Sequence, residues 1–276
     1  MSLFSIFYYL VLSFIYILAI PYLIFKSRNS KYRQAIPAKF FLKDNVPFKE
    51  NGIWFHSCSM GETKAIKPLI DNYLENANIS VITNTGFEEA KKISPNVRYL
   101  PFEIFLPFWV NKQKVLVVME AELWYLLFLL AKKKGAKTLL INARISDKSY
   151  KSYKRFSFFY ERIFQNIDKV FAQSEVDKYR LEELGASNVE VIGNIKLAQL
   201  PKVNVELVKP KQVVITAAST HENEEKLVLN AYKKEQGKLI IVPRHPERFE
   251  KVDFLIREFI KDKNISYQKY SIKDDF

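Results

Sequence analysis

From Leu3 to Phe25 the chain runs for 23 residues without a charged side chain. Wound into a helix at about 1.5 Å per residue, that run is roughly 34 Å long, enough to cross the hydrocarbon of a bilayer. A cleaved signal peptide reads differently, with basic residues before its apolar core and a small-residue cleavage site after it. Neither is present here, and Lys26, Arg28, Lys31 and Arg33 come directly after the run. The positive-inside rule then places the remainder of the chain in the cytoplasm. Residues 1–26 are therefore expected to form a single transmembrane anchor, in which Pro21 is tolerated near the end of the span. The lone cysteine, Cys58, rules out an intramolecular disulfide framework and fits a reducing compartment.

Beyond the anchor, short β-branched or apolar runs alternate with amphipathic stretches of helical period, the rhythm of a parallel sheet covered by helices. Strands are expected at Ile53-Phe55, Ser80-Thr83, Val115-Met119, Thr138-Asn142, Lys169-Ala172 and Glu190-Ile192. Ser174 before Glu175 and Gly185 after Leu184 supply one helix with an N-cap and a C-terminal stop. The pattern lapses between Gln199 and Pro210, where two prolines appear, so 27–198 reads as a first α/β domain and 199–210 as a linker. A second rhythm fills 211–276: strand Gln212-Ala218, helix Glu222-Glu235, strand Lys238-Val242, helix Glu247-Lys261 and a strand at Ile265-Tyr270. That is only about two and a half βα units, too few for an open sheet covered on both faces, so this domain reads as incomplete.

With 48% apolar and 26% charged residues the chain is expected to fold, and its net charge of +13 should draw phosphates or anionic headgroups. No Cys/His finger spacing, RNP-type aromatic pair or basic heptad helix is present, so nucleic acid is not the expected partner. His56, His221 and His245 lie far apart and share no ligand spacing, so no metal site is expected.

Polar residues cluster where strands run into helices, the corners at which open α/β sheets place ligands. In His56-Ser57-Cys58-Ser59-Met60-Gly61-Glu62, Gly61 lets backbone approach a substrate and Glu62 is a carboxylate able to reach a hydroxyl proton. Acids in first turns also simply complement the helix dipole. Met119-Glu120-Ala121-Glu122-Leu123-Trp124 comes after the apolar strand at 115–118, and one of its carboxylates could face a cleft while the other caps a helix. In Asn142-Ala143-Arg144-Ile145-Ser146, Arg144 could grip a phosphate or carboxylate, or form a structural ion pair. Ala218-Ser219-Thr220-His221-Glu222 sets hydroxyls at a helix start, for phosphate or for ordinary capping. Pro243-Arg244-His245-Pro246-Glu247-Arg248 clusters basic groups at the next one.

Taken in order, with Thr85-Gly86, Ser149, Gln173-Ser174, Arg180, Leu184-Gly185 and Gly193-Asn194-Ile195-Lys196 between them, these blocks resemble the Kdo (3-deoxy-D-manno-octulosonic acid) transferases of lipopolysaccharide synthesis. The resemblance implies an α/β fold of GT-B type, two Rossmann-like domains facing one another across a cleft. It implies inverting transfer of Kdo from CMP-Kdo to a lipid A precursor, lipid IV-A, at the cytoplasmic face of the inner membrane, without cofactor or bound metal. Glu62 matches the family's general base, and Glu120 and Glu122 match a further essential acid. Arg244 is the donor-phosphate candidate, and Ser59, Gly61, Arg144, Ser146, Lys196, Ser219, Thr220, His245 and Arg248 complete the expected substrate-binding set.

The chain departs from the family at Tyr125, where proline is usual, and at its end. Family members continue with a Gly-rich stretch and a Gly-Gly-His-Asn block that complete the donor site, so this polypeptide alone is expected to transfer weakly or not at all. A second reading is a non-catalytic membrane-anchored protein that binds anionic lipid.

Overall fold

The computed structural model describes residues 2–198 and 211–269. The chain divides into two compact units, Met1–Pro201 and Lys202–Phe276. The linker expected at 199–210 lies outside the described residues.

The first unit opens with helix α1 (Leu3–Ser27) and α2 (Ala35–Phe41), and then builds a parallel sheet. Its strands are β1 (Ile53–Ser57), β2 (Ala77–Val81), β3 (Val97–Tyr99), β4 (Val115–Met119), β5 (Lys137–Ala143), β6 (Lys169–Ala172) and β7 (Val189–Val191). Between them run α3 (Met60–Asp71), α4 (Asn84–Lys91), α5 (Leu106–Trp109), α6 (Tyr125–Lys133), α7 (Asp147–Arg155), α8 (Ser157–Phe164) and α9 (Glu175–Glu183). The spatial order is β3-β2-β1-β4-β5-β6-β7, every neighbouring pair parallel. Alternate residues of each central strand enter different cores: Trp54, Leu116 and Val118 pack on one face, Phe55, Val117 and Met119 on the other. Burial on both faces explains why these strands read as unbroken apolar runs.

β4 and β6 have the limits expected from their apolar runs. β2 ends earlier than expected because Thr83 leaves the ladder to cap α4, its hydroxyl accepting the Gly86 N–H at 3.2 Å. β3 has no apolar run of its own and forms because Val97–Tyr99 can pair with Ile79–Val81.

The same capping device recurs along one edge of the sheet. Ser59, Ser146 and Ser174 accept the N–H groups of Glu62, Ser149 and Asp177, so α3, α7 and α9 all begin at the carboxyl ends of strands. Gly185 closes α9 at φ +93°, where a Cβ would also come within 2.9 Å of Glu161. Ser174→Ala is expected to destabilise the first unit by about 1 kcal/mol, lowering its melting temperature by roughly 2–4 °C in a thermal-shift measurement. An unchanged melting temperature would mean that the cap is dispensable.

The second unit pairs β8 (Val214–Thr220) with β9 (Lys238–Pro243) in parallel, beside α10 (Glu224–Ala231) and α11 (Phe249–Ile260). No strand forms at 265–269, where Tyr267 instead donates its hydroxyl to Asp253 at 2.6 Å. Leu229 and Val252 are its buried apolar side chains among the described residues, while Ile215, Ile240 and Val242 stay exposed.

Candidate active site

In the first unit the chain leaves β1 toward β2 and β3, and leaves β4 toward β5 and β6. The carboxyl ends of β1 and β4 therefore flank the point where the winding reverses, and side chains from the two corners converge there.

Glu62 comes from the β1 corner. Its Oε2 accepts the Cys58 N–H at 2.8 Å and its Oε1 accepts the Ser59 hydroxyl at 2.9 Å, while Ser59 caps the Glu62 N–H in return. The arrangement is a variant of the capping box in which the carboxylate reaches back to the N–H of Cys58, one residue before the N-cap. It holds the carboxyl at the sheet edge with 8% of the residue exposed. Burial pushes the Glu62 carboxyl up, the two hydrogen bonds pull against it, and the nearby charges of Glu120 and Glu122 add to the push; the balance lies above the usual range.

The β4 corner supplies the other two acids. Glu122 Oε2 accepts the Trp124 indole N–H at 2.7 Å and stands 3.8 Å from His56 Nε2. Burial pushes the Glu122 carboxyl up, but His56, Trp124 and Cys58 outweigh it and leave the group below its ordinary value. His56 is fully buried on β1, its Nδ1 held by the Ser80 hydroxyl at 2.8 Å, and its Nε2 has no hydrogen-bond partner among the described residues. Burial and the charges of Glu122 and Glu62 push the Cys58 thiol up to about 12, so it stays a neutral thiol at physiological pH. Neighbouring carboxyls thus sit in opposed environments, one favouring the proton and one favouring the charge. Such a division of environments suits acid–base chemistry.

Glu120 turns the chain with φ +53°, and Asn142, at the end of β5, does the same with φ +54°. For a glutamate this left-handed backbone is strained. Lys196 Nζ reaches Glu120 Oε1 at 2.6 Å, and Asn142 Oδ1 accepts the Ile195 N–H at 3.0 Å, so the segment after β7 is stitched onto the same edge. Arg144 is exposed there and has no hydrogen bond or ion pair among the described residues. Ser146 is engaged as the cap of α7. Gly61 lies in the first turn of α3, where an added Cβ would meet only the Ser59 hydroxyl at 4.0 Å.

The second unit gathers its own polar edge at the ends of β8 and β9. Ser219, with φ +60°, His221, Arg244 and His245 are exposed there, and the two imidazole rings lie 6.1 Å apart. Thr220 and Arg248 turn inward instead. Both guanidinium prongs grip the buried Glu225, at 2.8 and 2.9 Å, and the Thr220 hydroxyl donates to the same carboxylate at 2.8 Å. Burial pushes the Glu225 carboxyl up, but Arg248 and Thr220 hold it below the usual range. Arg248→Lys removes the two-pronged geometry and is expected to destabilise this unit by about 1–2 kcal/mol. Faster amide exchange in α10 and β8, with the first unit unchanged, is the expected readout; unchanged exchange in the second unit would mean that the pair is not structural.

The structure therefore brings Ser59, Glu62, Glu120, Glu122 and Lys196 together at one edge and Ser219, Arg244 and His245 at another. Sequence reasoning had no way to find the partners His56, Trp124 and Glu225. His56 and Trp124 stood in the two corner blocks without a role of their own beyond the unfavourable metal reading of His56, and a glutamate in a first turn is as unremarkable as Glu225 looks.

A sequence model of the 3-deoxy-D-manno-octulosonic-acid transferase (Kdo transferase) family matches residues 28–199. A bifunctional glycosyltransferase/methyltransferase from Fusobacterium nucleatum is 34% identical over 247 residues, covering 80% of this chain and 38% of that protein. A 3-deoxy-D-manno-octulosonic acid transferase from Rickettsia bellii is 33% identical over 224 residues, covering 72% of this chain and 53% of that protein. The chain thus spans between 38% and 64% of the length of the curated relatives compared, about half in most cases. A glycosyltransferase crystal structure from Rickettsia africae aligns with 79% of this chain and 68% of that chain at a TM-score of 0.41 and 16% identity, a likeness too loose to build on.

Proposed function

Because the chain belongs to the 3-deoxy-D-manno-octulosonic acid (Kdo) transferase family, we propose that it serves inverting transfer of Kdo from CMP-Kdo to a lipid A precursor at a membrane surface. In this reading Glu62 takes the proton of the acceptor hydroxyl as that oxygen bonds to the anomeric carbon from the face opposite the donor phosphate. The bond from the anomeric carbon to the phosphate oxygen breaks, and CMP leaves with its electron pair. The observation that carries the proposal is the position of Glu62 at the winding reversal, its carboxyl pushed toward higher pKa by burial and by two neighbouring acids.

The other residues take supporting roles. Glu122, kept ionised beside His56 and Trp124, maintains the field that raises Glu62, and Glu120 holds Lys196 at the acceptor side. Arg144, Ser59, Gly61 and Ser146 line the approach of a phosphorylated acceptor. Ser219, Arg244 and His245 form the exposed polar edge suited to the donor's phosphate, whereas Thr220 and Arg248 shape that edge through Glu225. A net charge of +13 suits substrates that are anionic on both sides of the reaction.

The test is transfer by the purified protein in vesicles carrying the lipid A precursor, with CMP-Kdo supplied, alone and with the carboxyl-terminal lobe of a full-length family member added in trans. A Kdo-sized mass increase on the lipid together with CMP release is expected in the supplemented reaction. Acceptor binding without turnover in either reaction would overturn the proposal in favour of a lipid-binding protein.

A further inference from the structure

Helix α1 is long and apolar enough to cross a membrane. Its contacts point to a different seat. Along its whole length one stripe is turned against the first unit: Phe4, Ser5, Tyr8, Tyr9 and Tyr16 near the start and middle, and Leu23, buried, near the end. Four hydroxyls on that stripe are used. Ser5 bonds the Tyr125 hydroxyl at 2.8 Å, Tyr8 donates to Glu103, Tyr9 to the Ile104 carbonyl at 3.0 Å, and Tyr16 to the Phe40 carbonyl at 2.6 Å. Phe4 and Tyr8 also pack their rings against Tyr125 and Phe159.

Those partners bring charge with them. The Arg162 guanidinium lies 4.5 Å from the centre of the Phe4 ring, and the Glu103 carboxyl is buried beside Tyr8. Tyr8 is about 27 Å along the helix from Lys26 at about 1.5 Å per residue. A helix standing upright in the bilayer, with Lys26 at one surface, would carry Arg162 and Glu103 through the hydrocarbon or shed all of these contacts. Ionisable groups at that depth are strongly disfavoured.

The opposite face has the composition that lipid prefers. Phe7, Leu10, Phe14, Leu18 and Phe25 lie on it, each more than half exposed. Past its margin the apolar surface continues onto the globular unit, through a groove of about 310 Å³ walled by Phe7, Val11, Phe156 and Phe158. Lys26, in the last turn of the helix, and Arg28, Lys31 and Arg33 directly after it stand in a chain of net charge +13 and complement anionic headgroups.

We propose that α1 lies along the interface of a single anionic leaflet, its Phe7–Phe14–Phe25 face in the acyl layer, so that the first unit rests on the membrane as a monotopic body with both ends of the helix on one side. The inference is independent of the transfer chemistry and stands or falls without it.

The experiment uses the full chain with Cys58→Ala, bound to vesicles of phosphatidylethanolamine and phosphatidylglycerol with its soluble part outside. Single cysteines are placed by Ser2→Cys, Phe7→Cys, Phe14→Cys and Phe25→Cys. Expected are labelling of Ser2→Cys by a membrane-impermeant maleimide to the level reached in detergent, and equal, shallow quenching depths for probes at 7, 14 and 25. Protection of Ser2→Cys until the vesicles are opened, with depth passing through a maximum near position 14, would overturn the proposal in favour of a span. Failure to bind vesicles, with the protein self-associated and the probes shielded, would overturn it in favour of a second copy covering this face.

Discussion

Glu62→Gln is expected to lower Kdo transfer by about 10²–10⁴-fold, the usual contribution of a positioned general base. Glutamine preserves the shape, its carbonyl oxygen accepting the Cys58 N–H while its amide N–H donates to the Ser59 hydroxyl oxygen, so the helix start, the fold and acceptor binding should survive. The base must be ionised to accept a proton, so the rate should rise with pH through the Glu62 pKa. Burial and the two acids hold that value above the ordinary 4.5, and the acid limb should lie correspondingly high. Glu122→Gln removes one of the charges that push Glu62 up, and should therefore move the acid limb to lower pH while leaving its shape unchanged. Both outcomes come from steady-state transfer assays across pH in the supplemented reaction. Transfer by Glu62→Gln within about threefold of the parent would end the base assignment, and loss of acceptor binding would move Glu62 from chemistry to recognition.

The second large effect concerns stability. Glu103 is buried where α1 meets the start of α6, its Oε1 accepting the Leu126 N–H at 2.6 Å and its other oxygen the Tyr8 hydroxyl. Burial pushes its carboxyl from 4.5 up to about 7, despite those bonds pulling the other way. A folded-state value raised above the unfolded one favours the native state below the unfolded pKa, and that stability is lost as pH rises through the folded value. The interval from 4.5 to about 7, at about 1.4 kcal/mol per pH unit, corresponds to roughly 3 kcal/mol. Glu103→Gln is neutral at every pH and keeps an acceptor for Leu126. Its stability relative to the parent should therefore climb by up to roughly 3 kcal/mol between about pH 4.5 and 8, in denaturant titrations of the detergent-solubilised protein. Parallel curves for parent and variant would show that the carboxyl is not held in a buried setting.

How much of this was legible in the sequence depends on how local each cause is. β4 and β6 could be bounded because a strand buried on both faces leaves an apolar run that needs no knowledge of its neighbours. α9 could be bounded because Ser174 and Gly185 act within one turn of the helix. β3 could not, since three residues between Asn96 and Leu100 become a strand only through the offer of β2 beside them. The same division runs through the candidate site. Glu62, Glu120 and Glu122 were visible as acids at strand ends, but their differing environments come from contacts across the sheet. His56 reaches Glu122 because β1 and β4 are adjacent and in register. Lys196 reaches Glu120 from 76 residues away. Arg248 had the look of an anion-holding arginine, and the anion it holds in this structure is Glu225.

At Glu120 the backbone and the side chain want different residues. Glycine would occupy the left-handed turn after β4 without the penalty a Cβ brings. Selection for robustness alone would therefore wear this position down to hydrogen and leave the Lys196 ammonium facing an empty corner, so a hardier protein obtained that way would be the wrong one to assay.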